Sequence, residues 1–195
     1  MDNHVLATIK ARRSIRKYQE HQVPREALDA ILDAATYAPS GSNSQSWLFT
    51  AIQNKAILDE LNEAVKKALL SMKLEENPYP AKAAAKKNAV KDEYNFYYHA
   101  PTLIIVSNVA TYTNAISDCA AALQNIFLTA HSFGIGSCWI NQLAWTTGDP
   151  FLREFLLGLG VPKEHCICGA AALGYIAGDT PTTPKRRENT IHVIS

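Results

Sequence analysis

The chain has 195 residues, 47% of them hydrophobic and 19% charged, with a formal net charge of +1. This length and apolar content fit one compact domain with a sizeable core, and the near-neutral charge argues against a general polyanion binder, which would present a broad basic face. No run reaches the roughly 18 consecutive apolar residues of a membrane span. Met1-Asp2-Asn3-His4 is not the cationic opening of a signal peptide, so the expectation is a cytoplasmic protein that binds neither membrane nor nucleic acid. Its four cysteines, Cys119, Cys138, Cys166 and Cys168, are then reduced thiols.

Positive charge is concentrated near the start. Val5 to Arg12 reads as a helix, and Ala11-Arg12-Arg13-Ser14-Ile15-Arg16-Lys17-Tyr18 then gathers several cations and a hydroxyl around a helix end. Guanidinium groups present rigid planar forks of donors, so Arg12, Arg13 and Arg16 beside Ser14 suit a phosphate dianion. Taken alone, the same cluster is also a solvated helix terminus whose cations complement the helix dipole.

Pro24 opens a second helix, with Leu28, Ile31, Leu32, Ala35 and Ala38 at steps of three and four until Pro39 stops it. The amide-rich loop Pro39-Ser40-Gly41-Ser42-Asn43-Ser44-Gln45-Ser46 leads into a strand over 47–53. From Lys55 to about Lys91 an Ala/Lys-rich stretch predicts two helices broken near Asn77-Pro78-Tyr79-Pro80. Lacking a wide apolar face, it reads as a solvated lid or a surface decoration. The aromatics Tyr94, Phe96, Tyr97 and Tyr98 suit core or dimer packing, or the wall of a substrate pocket.

Thr102 to Val106 is a continuous apolar run, as in a central strand buried on both faces. Ile116, Cys119, Leu123, Ile126, Phe127 and Ala130 keep helical spacing up to a left-handed cap at Gly134, and His131 on this helix reads as structural. Strands at Ser137–Ile140 and Cys168–Tyr175 flank a helix near Pro150 to Leu157 that starts at Asp149-Pro150. Cys166 and Cys168 share one sheet face, where buried cysteine acts as a small apolar residue. The tail from Gly178 to Pro184 is extended, and Ile191-His192-Val193-Ile194 alternates like a strand. Gly134-Ile135-Gly136-Ser137-Cys138-Trp139 lacks the third glycine of a dinucleotide fingerprint and precedes a strand instead of a helix.

Four motifs in order, Arg12-Arg13-Ser14-Ile15-Arg16, Pro39-Ser40-Gly41-x-Asn43-x-Gln45-x-Trp47, Gly134 to Ile140, and Pro184-Lys185-Arg186-Arg187, resemble the FMN-dependent nitroreductase family across almost the whole chain. The resemblance implies an α+β fold: a three-layer sandwich with a mostly antiparallel central sheet flanked by helices. It also implies an intertwined homodimer with FMN at the interface and a C-terminal arm, about 178–195, that crosses to the partner. In that reading residues 1–195 form a single domain with a variable helical insert at about 55–98.

The same resemblance assigns the cofactor's phosphate to Arg12, Arg13 and Ser14 with Lys185 and Arg187. It gives the ribityl chain and the pyrimidine edge to Pro39, Ser40, Gly41, Asn43 and Gln45 of the other subunit, and the run of backbone along the ring to Trp139, Ile140, Asn141 and Gln142. Arg16 corresponds to a position near the flavin N1 and O2, where a cation favours the reduced state. The implied activity is ping-pong hydride transfer from NADH or NADPH, through FMN, to a small-molecule acceptor such as a nitroaromatic or quinone, with no obligatory protein acid or base and no metal. Enone reduction, dehalogenation and a non-catalytic flavin-binding or redox-sensing role are the alternatives on the same scaffold. Ser46 replaces a usual proline, Asn141 occupies a position that is acidic in some members, and no lysine precedes Pro101 where some carry one beside O2, so acceptor preference is left open.

Overall fold

The computed structural model describes residues 3–194. Its strands are β1 (Leu48–Ile52), β2 (Thr102–Val109), β3 (Ile135–Ile140) and β4 (His165–Tyr175), joined as one antiparallel sheet in the order β1-β2-β4-β3. The helices are α1 (His4–Ala11), α2 (Arg25–Thr36), α3 (Lys55–Ser71), α4 (Pro80–Asn88), α5 (Ala115–Ser132), α6 (Gln142–Thr146) and α7 (Pro150–Gly158). None is long and apolar enough to cross a membrane.

Strand alternation divides the interior into two cores. On β2, Ile104 and Val106 face α2 and α5, where Leu28, Ile31, Leu123 and Ile126 are buried, while Leu103 and Ile105 face α3, α6 and α7. The result is a three-layer α+β sandwich, with the central strand covered on both sides from Thr102 to Asn108. A register shift between Val106 and Ser107 turns Cys168 toward α5 along with Ala171. Cys166 and Cys168 do share that face, with their sulfurs 4.0 Å apart and Cys168 buried.

Local signals set several element ends. The Asp149 side chain accepts from the Leu152 N–H at 3.0 Å and starts α7 with Pro150 in its first turn. Gly134, at φ +72°, follows α5 as its left-handed exit.

One expectation needs correction. The insert is not all lid or decoration, because α3 buries Leu58, Leu61, Ala64, Val65, Ala68 and Leu69 against the sheet; a narrow apolar stripe runs beside Lys66 and Lys67. Only Ala85 is buried within α4, which fits a surface element. The tail segment 191–194, expected to cross to a partner subunit, has no strand partner among the described residues of the single chain, and Ile191, Val193 and Ile194 are 85%, 79% and 88% exposed.

Candidate functional site

The basic segment after α1 is stitched to the sheet by its backbone. Ile15 N–H donates to Ser137 O at 2.9 Å, Gln19 N–H to Tyr175 O at 2.9 Å, and Ala177 N–H to Lys17 O at 3.1 Å. Ser14 forms a parallel bridge to Ser137 of β3. Buried Ile15 lies so close to β3 that a Cβ on Gly136 would fall 2.9 Å from its Cγ1, so only glycine admits this approach. Arg12, Arg13, Ser14 and Arg16 are thereby fixed along one edge of the β3 backbone.

Each arginine is held differently. Arg13 donates through Nη1 to Lys10 O and Arg12 O, both at 2.7 Å, and through Nη2 to the Thr183 hydroxyl of the C-terminal tail. The Arg12 guanidinium lies 5.8 Å from the Phe127 ring centre and Arg16 lies 5.7 Å from that of Tyr98. None of the three pairs with a carboxylate among the described residues. Burial, then the charge of Arg13 and, more weakly, that of Arg186, lower the pKa of Arg12, so uncompensated positive charge has collected here. His131 faces the same group, its pKa held below the usual histidine range by burial and then by Arg12 and Arg13. Two buried polar atoms, Arg13 Nε and the Ser137 hydroxyl, have no protein partner.

The tail brings Thr183 and Arg186 to this cluster. Lys185 pairs with Glu188 at 3.3 Å and Arg187 is exposed, so the single chain does not gather either of them onto Arg12 and Arg13. The cationic contribution of the tail to Arg12 comes from Arg186, between the two positions the motif suggested.

β3 continues into the segment expected to run along a ring. Trp139 projects outward and packs 5.9 Å from Phe127, and its indole N–H donates to Asn141 Oδ1 at 2.7 Å. Ile140 is buried, Asn141 N–H is taken up by Gln142 Oε1 at 3.1 Å, and α6 begins immediately. This five-residue helix carries no sequence signal long enough to register. It places Gln142 and Trp145 beside Tyr94 and Tyr98 around an open cavity of about 540 Å³ lined on one side by α4. The aromatic run thus divides: Phe96 and Tyr97 are core, while Tyr94 and Tyr98 line a cavity.

Loop 39–46 is a tight, unusual turn. A short 3₁₀ turn, Gly41–Asn43, is followed by Ser44, whose N–H donates to Gly41 O at 3.1 Å. Ser42, Asn43 and Gln45 all have left-handed backbones, with φ of 52°, 55° and 47°. That region costs a non-glycine residue roughly 1–2 kcal/mol, less for asparagine. Asn43, Ser44 and Gln45 are exposed, with Gln45 Nε2 donating to Asn43 Oδ1 at 2.9 Å and Gln45 N–H to Ser40 Oγ at 3.2 Å. Pro39 is exposed at the loop's start. Sequence reasoning missed what anchors this turn, the half-buried Tyr112 and the buried Asp118 of α5; a carboxylate set in the apolar stripe of Ala115, Cys119 and Ala122 was the available signal.

The molecule is therefore an α+β sandwich that presents a cluster of arginines fixed along β3 and a strained, amide-rich loop after α2. The Nitroreductase family model matches residues 9–175, and the chain belongs to that family. A solved nitroreductase with bound FMN from Bacteroides fragilis is 44% identical, with a TM-score of 0.90 over 100% of both chains. A Methanothermobacter thermautotrophicus protein described as an NADH dehydrogenase/NAD(P)H nitroreductase is 37% identical over 97% of this chain and 86% of its own length. A 4-nitrobenzoate reductase from a Nocardioides strain is 27% identical over 87% of this chain and 79% of its own.

Proposed function

We propose that this chain is an FMN-dependent NAD(P)H oxidoreductase that passes hydride to nitroaromatic, quinone or related planar acceptors. The observation that carries the reading is the group of arginines after α1, fixed to β3 by the backbone and left without a carboxylate among the described residues. Arg12 and Arg13 are half-buried, and positive charge gathered without a carboxylate is relieved by a bound anion. The residues fit the phosphate of FMN: Arg12, Arg13 and Ser14 at the sheet edge, with Arg13 Nε and the Ser137 hydroxyl still free to donate. Lys185 and Arg187 join them once the tail docks.

When bound, FMN supplies the hydride-carrying chemistry, so no titrating side chain is required to make or break a bond. The chain's own residues bind and orient. Arg16, steadied on Tyr98, places a fixed cation beside the cavity in which Gln142, Trp145, Tyr94 and Tyr98 form flat walls. Such walls favour planar aromatic acceptors. Loop 39–46 of a second copy supplies amide and hydroxyl groups from Ser40, Asn43 and Gln45, with Pro39 and Gly41 letting the backbone approach closely, and Trp139, Ile140, Asn141 and Gln142 form the opposite wall. The homodimer is supported by the exposed apolar side chains of the tail and of α1, where Val5, Leu6 and Ile9 are 62%, 49% and 45% exposed.

Anaerobic stopped-flow tests the reading. NADH or NADPH is expected to bleach the bound flavin, and 4-nitrobenzoate to restore its colour. A flavin that neither nicotinamide reduces would replace this reading with a storage or sensing role.

A further inference from the structure

We infer that Asp118 and Tyr112 are positioning residues for the cofactor, acting on it through the left-handed turn of loop 39–46. Hydrogen bonds within the loop, such as Ser44 N–H to Gly41 O and Gln45 N–H to Ser40 Oγ, close the turn, yet Ser42, Asn43 and Gln45 all take backbone angles that side-chain-bearing residues avoid, so a further restraint is needed. The restraint comes from the start of α5. Gly41 N–H donates to Asp118 Oδ2 at 3.1 Å, the Tyr112 hydroxyl donates to the same oxygen at 2.9 Å, and that hydroxyl also lies 3.0 Å from Gly41 O. Both backbone groups of one residue are thus engaged by a pair of side chains that also bind each other.

Asp118 is 6% exposed and belongs to no ion pair among the described residues, so its carboxylate is committed to this grip. The fit is close on every side: a Cβ added to Gly41 would lie 2.5 Å from the Tyr112 hydroxyl and 2.2 Å from Asn114 Nδ2. The missing Cβ of glycine is what lets these side chains approach so closely, and its backbone angle is not of the left-handed kind. A buried carboxylate is costly unless hydrogen-bonded, and this one sits 77 positions away in sequence from the turn that it holds. The grip makes the turn rigid before any ligand arrives, which removes an ordering cost from binding.

The inference rests on loop 39–46 being a cofactor ligand, and the test separates the two. FMN is titrated into flavin-stripped wild-type protein and into Asp118→Ala, Asp118→Asn and Tyr112→Phe, following flavin fluorescence, with circular dichroism and dimer mass as checks on folding. Asp118→Ala should weaken FMN binding about 10-fold to 100-fold, the loss expected when buried donors are left unpaired. Asp118→Asn keeps an acceptor oxygen for both donors and should stay close to wild type. Tyr112→Phe removes one hydroxyl and should fall between them, and it serves if Asp118→Ala does not fold.

The decisive readout is rescue. Ser42→Gly, at an exposed position outside the ligand set, tolerates the left-handed backbone and should recover part of the affinity lost in Asp118→Ala. A general loss of stability in α5 would not respond to that change. Wild-type affinity in both Asp118→Ala and Tyr112→Phe, or losses that Ser42→Gly leaves untouched, would overturn the inference. Wild-type protein that fails to bind FMN would overturn the reading beneath it.

Discussion

Two segments meet at the β3 edge of the sheet and are held very differently. Residues 14–19 are joined to β3 and β4 by backbone hydrogen bonds and bury Ile15, whereas the tail beyond Gly178 touches the basic cluster through Thr183 and leaves Ile191, Val193 and Ile194 almost fully exposed. Backbone pairing fixes direction and spacing, while a hydroxyl contact on an exposed arm fixes little. The single chain therefore fixes Arg12, Arg13, Ser14 and Arg16 along β3. It does not bring Lys185 and Arg187 to them, and their joining the proposed phosphate site depends on where the tail docks.

The largest effect should come from prying the first segment off the strand. Gly136→Val would drive carbon atoms into Ile15 and Ile176, whose side chains already approach the missing Cβ to 2.9 and 3.0 Å. Overpacking of this kind costs about 1–3 kcal/mol, a fall of roughly 2–10 °C in Tm. FMN retention should drop with it, and an unchanged Tm with full flavin would remove the contact from the account. Removing everything after Asp179 comes next: light scattering should show a weakened dimer and calorimetry a lower Tm, and an intact, equally stable dimer would leave the exposed tail without its proposed role.

Smaller changes sharpen the comparison. Tyr98→Ala releases Arg16 from its aromatic support, worth about 0.5–1 kcal/mol, and should make the flavin potential roughly 10–20 mV more negative. An identical potential would separate Arg16 from the ring. The smallest effect is one of pH. Burial and the two arginines hold the His131 pKa below its unfolded value of 6.5, so the stability tied to neutral His131 is present above pH 6.5. It is lost as pH falls from there through the lower folded value. His131→Gln should flatten that limb of the Tm curve of the flavin-free protein, and bound FMN should flatten it too by offsetting the arginine charge; superimposable wild-type and variant curves would contradict this.

What could be read from sequence followed the strength of the local signal. α5 and β2 were legible because apolar residues recur along most of each element, Cys119 to Ala130 in α5 and Leu103 to Val106 in β2, and Gly134 marked the helix exit; Ile116, in step with the stripe, is nevertheless exposed. The basic segment and amide loop stood out by residue type. α3 was misjudged because its lysines sit beside a stripe only two or three residues wide, and α6 is too short to show a period. The geometry of loop 39–46 was hidden because none of its three left-handed residues is glycine, and the side chains that impose it belong to the region around α5. The tail alternates in sequence, yet whether it pairs depends on a partner strand that one chain does not supply.

The claim that the arginines after α1 grip a phosphate is tested most directly by comparing FMN with riboflavin, which lacks only that group. Two charge-assisted contacts of about 1.5–3 kcal/mol each predict at least a roughly 100-fold preference for FMN in the wild type. Arg12→Ala with Arg13→Ala should reduce that preference to about tenfold or less while riboflavin binding stays nearly constant. Equal wild-type affinity for the two flavins, or a double variant that keeps the full preference, would contradict the account.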